Sequence, residues 1–91
     1  MKVTYRVHAV RRMFERGITD SDVRSVLQKN EVIATYPEDK PYPTRLLLGW
    51  RADRPLHVVA AFSTADDEQI VIAVYEPDPA QWEDGFRRRT A

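Results

Sequence analysis

Three side chains spaced i, i+4 and i+8, His8, Arg12 and Arg16, are the first in the chain that could act together on a ligand. On a helix turning about 100° per residue they lie within roughly 80° of one another. Two guanidiniums offer planar paired donors that match a phosphate, and an imidazole titrates near neutrality, so this face could hold a phosphate and move a proton. The alternative is a solvated helix surface on which Glu15 pairs with a neighbouring arginine. His57 stands in an otherwise apolar run, where alternation sets it with Val59 and Ala61 opposite Leu56, Val58, Ala60 and Phe62. It is either a general acid or base at a sheet surface or a hydrogen-bonded structural group. Tyr75 closes the last apolar run, where its hydroxyl reaches a ligand or its ring sits at an interface.

Several chemistries are excluded by what is missing. Without cysteine there is no disulfide framework, no thiolate zinc site and no cysteine nucleophile. The two histidines are far apart and lack the His-x-x-x-His spacing of a metal pair, so no metal is expected. There is no Gly-rich phosphate loop, no Gly-x-Ser-x-Gly elbow and no dinucleotide fingerprint, so no cofactor is expected either.

The elements that must position these residues follow from local signals. From Val7 to Arg16 the helical period puts Ala9, Val10, Met13 and Phe14 on one side, with His8, Arg12, Glu15 and Arg16 on the other. Gly17 suits the left-handed residue that ends a helix. Thr19 and Asp22 read as a capping box for a second helix over roughly residues 20–29, with Val23, Val26 and Leu27 as its apolar stripe and Asn30 as its stop. After Glu31 the period changes to that of strands, giving four runs: Val32 to Tyr36, Thr44 to Arg51, Leu56 to Ser63 and Gln69 to Tyr75. Short connections between the last three predict an antiparallel meander. Asp78-Pro79 resembles an N-cap followed by proline at the first helical position, which predicts a short C-terminal helical turn over Ala80 to Asp84. Trp82 and Phe86 would then share one face and dock the tail on the core or on a partner chain. The expected fold is α+β: two N-terminal helices, a four-stranded largely antiparallel sheet and that final turn.

Ninety-one residues provide for one hydrophobic core, so residues 1–91 are expected to form a single domain. No stretch approaches the roughly 20 apolar residues of a membrane span and no signal-peptide core is seen, so no membrane partner and a cytoplasmic location are expected. Fourteen basic side chains balance fourteen acidic ones, which argues against a strong unspecific grip on nucleic acid. The charges are nonetheless unevenly placed. Lys2, Arg6, Arg11, Arg12 and Arg16 face only Glu15 in the first sixteen residues, Arg87 to Arg89 end the chain, and Asp66 to Asp84 hold seven acids and no base.

His8-Ala-Val-Arg-Arg-Met-Phe-Glu-Arg-Gly-Ile18, with the later blocks Arg54-Pro-Leu-His57 and Val74-Tyr-Glu-Pro77, resembles the bacterial domain of unknown function 4258 family over roughly residues 5–82. That family is similar in architecture to RelE-like and BrnT-like toxins, small metal-independent ribonucleases whose helices pack on an antiparallel sheet. The resemblance implies a RelE-like fold and a toxin-like endoribonuclease or RNA-binding role, with RNA and an antitoxin protein as partners. In a nuclease of this kind His57 and His8 would be the acid–base candidates, Arg12 and Arg16 the phosphate clamp and Tyr75 a positioning group. The rival reading is a non-catalytic domain that binds another protein or a second copy of itself as a homodimer, motivated by the apolar strands and the Trp82/Phe86 pair.

Overall fold

Local sequence signals account for both helices. In the computed structural model, which describes residues 2–90, the helices are α1 (Val7–Arg16) and α2 (Asp20–Lys29), with the bounds expected from sequence. Gly17 takes φ 66°, and its N–H and that of Ile18 donate to the carbonyls of Phe14 and Met13 at 3.4 and 2.9 Å, closing the last turn of α1. The Thr19 hydroxyl accepts from the Asp22 N–H at 3.1 Å while the Asp22 carboxylate accepts from the Thr19 N–H at 2.9 Å. Each satisfies a donor that the start of α2 would otherwise leave orphaned.

The sheet corrects the expectation. Five strands, β1 (Lys2–Tyr5), β2 (Val32–Tyr36), β3 (Thr44–Arg51), β4 (Arg54–Ser63) and β5 (Glu68–Tyr75), lie in the order β1-β5-β4-β3-β2. The β3-β4-β5 meander is antiparallel, as expected, and β2 extends it by pairing antiparallel with β3, but β1 precedes the first helix and pairs in parallel with β5, Lys2 beside Glu68 and Tyr5 beside Val71. A five-stranded mixed sheet therefore replaces the four-stranded, largely antiparallel, RelE-like plan. Four residues are too few for a period to stand out, and the partner edge lies about sixty residues further along the chain.

The second correction concerns the tail. No helix forms over residues 80–84. Asp78 starts a turn in which its carboxylate accepts from the Ala80 N–H and its carbonyl from the Gln81 N–H, both at 2.9 Å. Gly85 (φ 88°) and Phe86 (φ 60°) then reverse the chain, so that Trp82 bridges Arg89. Burial of Trp82, 8% exposed, outweighs the small gain from one isolated helical turn.

Both faces of the central strands are covered. On one face α2 packs on β3 and β4 and α1 on β5, enclosing Ala9, Met13, Val23, Val26, Leu47 and Val58. The other face carries Leu46 and Leu48 of β3 with His57 of β4 and lies under the C-terminal segment. Gly49 marks a close approach of α2 to the sheet, since a Cβ there would lie 2.4 Å from Val26 Cγ2. Gly49→Ala is therefore expected to cost about 1–3 kcal/mol through overpacking. Denaturant titration checks this, and an unchanged midpoint would show that Val26 moves aside freely.

Candidate functional site

α1 is a helix with an incomplete anchor. Arg6 occupies its N-cap without a side-chain capping bond, and the first turn has no acid to meet the positive end of the dipole. Ala9 and Met13 are buried, whereas Val10 is 51% and Phe14 89% exposed. The four residues expected to form one core-facing side are thus split, because the helix rests on the sheet along Ala9 and Met13. His8, Arg12 and Arg16 are all exposed on the other flank.

Partners separate these cations from the rest. Arg24 bonds Asp20 at 2.8 Å, Arg45 bonds Asn30 at 3.3 Å, Arg87 bonds Glu31 at 2.6 Å and Arg88 meets Glu83 at 3.3 Å. Arg89 lies over the Trp82 ring, 5.3 Å from its centroid. Arg54 grips Glu76 with two bonds of 2.8 and 2.9 Å, and Arg51 reaches the same carboxylate at 3.5 Å and the Gly17 carbonyl at 2.7 Å. The Arg54 bonds are the main reason the Glu76 carboxyl is held below its usual range. Arg6, Arg11, Arg12 and Arg16 make no side-chain hydrogen bond or ion pair among the described residues. A chain of zero net charge therefore gathers its unneutralised arginines on one helix and its cap.

His57 and Tyr75 sit elsewhere. They are cross-strand partners on β4 and β5, on the sheet face covered by the C-terminal segment. His57 is wholly buried; its Nε2 lies 2.9 Å from the Phe86 carbonyl and its Nδ1 3.2 Å from the Tyr75 hydroxyl. A carbonyl only accepts, so the proton of the neutral ring sits on Nε2, and Nδ1 accepts from the Tyr75 O–H. The Trp82 and Tyr75 rings stand edge-on to the imidazole at centroid distances of 4.5 and 5.2 Å. Burial pushes the His57 pKa down, the Phe86 carbonyl opposes that shift, and the nearby Arg89 charge adds to it.

The depressed value has a consequence for stability. The unfolded chain binds a proton near the ordinary histidine value of 6.5, above the folded value. The contribution from a neutral His57 is therefore complete above pH 6.5 and is lost as pH falls below it. Thermal melts at about pH 8 and about pH 5.5 should show a drop in wild type that is smaller in His57→Gln. An equal drop in both would place the titration at another group.

The five residues singled out by sequence thus divide in two. His57 and Tyr75 share a hydrogen bond, while His8, Arg12 and Arg16 lie on the helix that covers the opposite face of the sheet. The divided arrangement offers a cationic helix surface on one side and, on the other, a buried histidine bonded to a half-buried tyrosine. Sequence reasoning missed the Arg51–Glu76–Arg54 cluster, although two of the motif blocks held its signal: Arg54 and His57 on one strand face Glu76 and Tyr75 at the end of the next. Among the described residues no group of three or more His, Asp or Glu side chains is placed to hold a metal ion, and no helix is long and apolar enough to cross a membrane.

Neither a curated protein nor a solved structure matches the chain. Residues 5–76 match the family described as Domain of unknown function (DUF4258), a span that takes in α1, α2 and the whole β2–β5 meander with the Arg54–Glu76 and His57–Tyr75 pairs. The chain belongs to the DUF4258 family.

Proposed function

We propose that this domain binds RNA through the cationic flank of α1, with His8, Arg12 and Arg16 meeting the phosphate backbone. The observation that carries this reading is the set of exposed arginines on and beside α1 that have no partner among the described residues, while every other arginine is held by an acid, an amide or a ring. Leaving cations unpaired on one helix gains no intramolecular stability, and it creates the local positive field that anionic polymers follow. A toxin-like cleavage step would also need an acid–base pair at that flank. His8 is the histidine present there, whereas the buried His57 and the half-buried Tyr75 lie on the other face, so the reading is one of binding.

The test uses a short single-stranded RNA and fluorescence anisotropy. Neutralising three to four phosphates implies that affinity falls roughly 20- to 50-fold between about 50 and 200 mM salt. No binding at the lower salt, or binding indifferent to salt, would sink the proposal. Release of shorter products during the same titration would move it from binding to cleavage.

A further inference from the structure

Where α1 ends, the start of β4 and the segment after β5 close around a cavity of about 450 Å³, within the roughly 300–1,000 Å³ of a small-ligand site. Its charged lining is two arginines and two carboxylates, Arg16, Arg54, Glu76 and Asp78, so the cavity carries no net charge. Arg54 and Glu76 hold each other through two bonds of 2.8 and 2.9 Å. Arg16 and Asp78 differ, since neither has an ion-pair partner among the described residues. Oδ1 of Asp78 accepts from the Ala80 N–H at 2.9 Å, while Oδ2 accepts from no described residue. A donor pole and an acceptor pole therefore stand open in one cavity. The rest of the wall is Pro55, Pro77, Pro79 and the half-buried ring of Phe86, which meets Trp50 in a T shape with centroids 6.1 Å apart.

These features select the ligand. A free phosphate or carboxylate would suit Arg16 and be repelled by Asp78, and a cation would meet the reverse. A flat neutral group with acceptors on one edge and donors on another suits both, and apolar and aromatic walls suit its faces. We propose that this cavity holds a guanine base of the bound RNA, with Arg16 donating to O6 and N7 and the Asp78 carboxylate accepting from N1–H and the 2-amino group. The proposal rests on RNA following the cationic flank of α1, at whose C-terminal end Arg16 stands.

The donor inventory separates guanine from the other bases. Its O6 and N7 match the fork of an arginine, and its N1–H and amino group set two donors side by side opposite a carboxylate. Adenine and cytosine each carry one amino group, and uracil has a single N–H between two carbonyls. Each carboxylate oxygen has two lone pairs, so Oδ1 can accept from the base and from Ala80 together. The five donors of the Arg16 guanidinium likewise allow it to meet a phosphate of the backbone and the base beside it.

Fluorescence anisotropy at about 50 mM salt, where phosphate contacts are strong, compares an all-uridine oligonucleotide with the same chain carrying one guanosine or one inosine. Wild type should bind the guanosine chain about 10-fold more tightly than the all-uridine one, and inosine, which lacks the 2-amino group, should lose most of that gain. A 7-deazaguanosine chain, which lacks the acceptor facing Arg16, should also bind more weakly than guanosine. Asp78→Asn is the matching protein change. Its amide oxygen keeps the Ala80 bond, so the turn and the thermal melt are preserved, while its NH2 group replaces the open oxygen and sets a donor against donors. The variant should bind the guanosine and inosine chains alike, with all-uridine affinity within about 3-fold of wild type, as suits the loss of one exposed charge. Equal wild-type affinity for the all-uridine and guanosine chains, inosine bound as tightly as guanosine, or an Asp78→Asn variant that still separates those two would each overturn the pocket and leave binding along α1 intact. Binding of no chain at all would overturn both readings.

Discussion

Replacing Trp82 with alanine lowers the melting temperature by roughly 12–24 °C. The indole is 8% exposed and stands nearly perpendicular to the His57 ring, and the Arg89 guanidinium lies over it, so it joins the irregular tail to the sheet. Truncating a buried tryptophan costs about 3–5 kcal/mol. The lower end applies here, because the site borders an open pocket lined by Ile33, Tyr36, Leu46 and Arg87 to Arg89, which water can enter. For a domain of this length each kcal/mol shifts the midpoint by about 4–8 °C, and about 3 kcal/mol gives the stated range. Water reaching His57 also removes the desolvation that depresses its pKa, so histidine resonances followed by NMR should titrate closer to the ordinary value. A variant that melts within a few degrees of wild type, with the His57 titration moved, would show that the tail opens by itself and is not part of the cooperative unit.

The second large effect is on binding. Arg12→Ala/Arg16→Ala should weaken RNA affinity about 10- to 100-fold at low salt, which corresponds to about 0.7–1.4 kcal/mol for each arginine. That lies below the roughly 1.5–3 kcal/mol of a well-formed hydrogen bond to a charged group, as suits side chains that remain in contact with water. The salt dependence should flatten too, with the slope of log affinity against log salt falling by about 0.7 for each phosphate that no longer meets an arginine. Neither arginine has an intramolecular partner among the described residues and both are exposed, so stability should stay within about 0.5 kcal/mol of wild type. Unchanged affinity in a folded double variant would remove α1 as the binding surface. An equal loss in Arg24→Ala, whose guanidinium is held by Asp20, would show that general charge and not this flank is responsible.

Both helices, with their bounds and the caps at Gly17, Thr19 and Asn30, could be read in the sequence because capping is local. A left-handed glycine, a threonine three residues before an aspartate and a helical period all act within one or two turns. The meander was readable for the same reason, since turn residues at short intervals divide strands that pair with their chain neighbours. The motif blocks also carried the family, whose match spans residues 5–76.

What remained hidden was decided between parts of the chain that are remote from each other. β1 is four residues long, and only the free edge of β5 makes it a strand. The sequence around Asp78-Pro79 favours a helical start, yet Trp82 gains more by covering His57 than a single turn could return. The helical period of α1 marked an apolar side but not how that side would meet the sheet; packing on β5 buried Ala9 and Met13 and left Val10 and Phe14 in water. Residue types and spacing alone determined that His8, Arg12 and Arg16 share a helix face. Only the tertiary structure set that face and the His57–Tyr75 pair on opposite sides of the sheet, because a strand residue's side of the sheet is fixed by register and by the element that covers it.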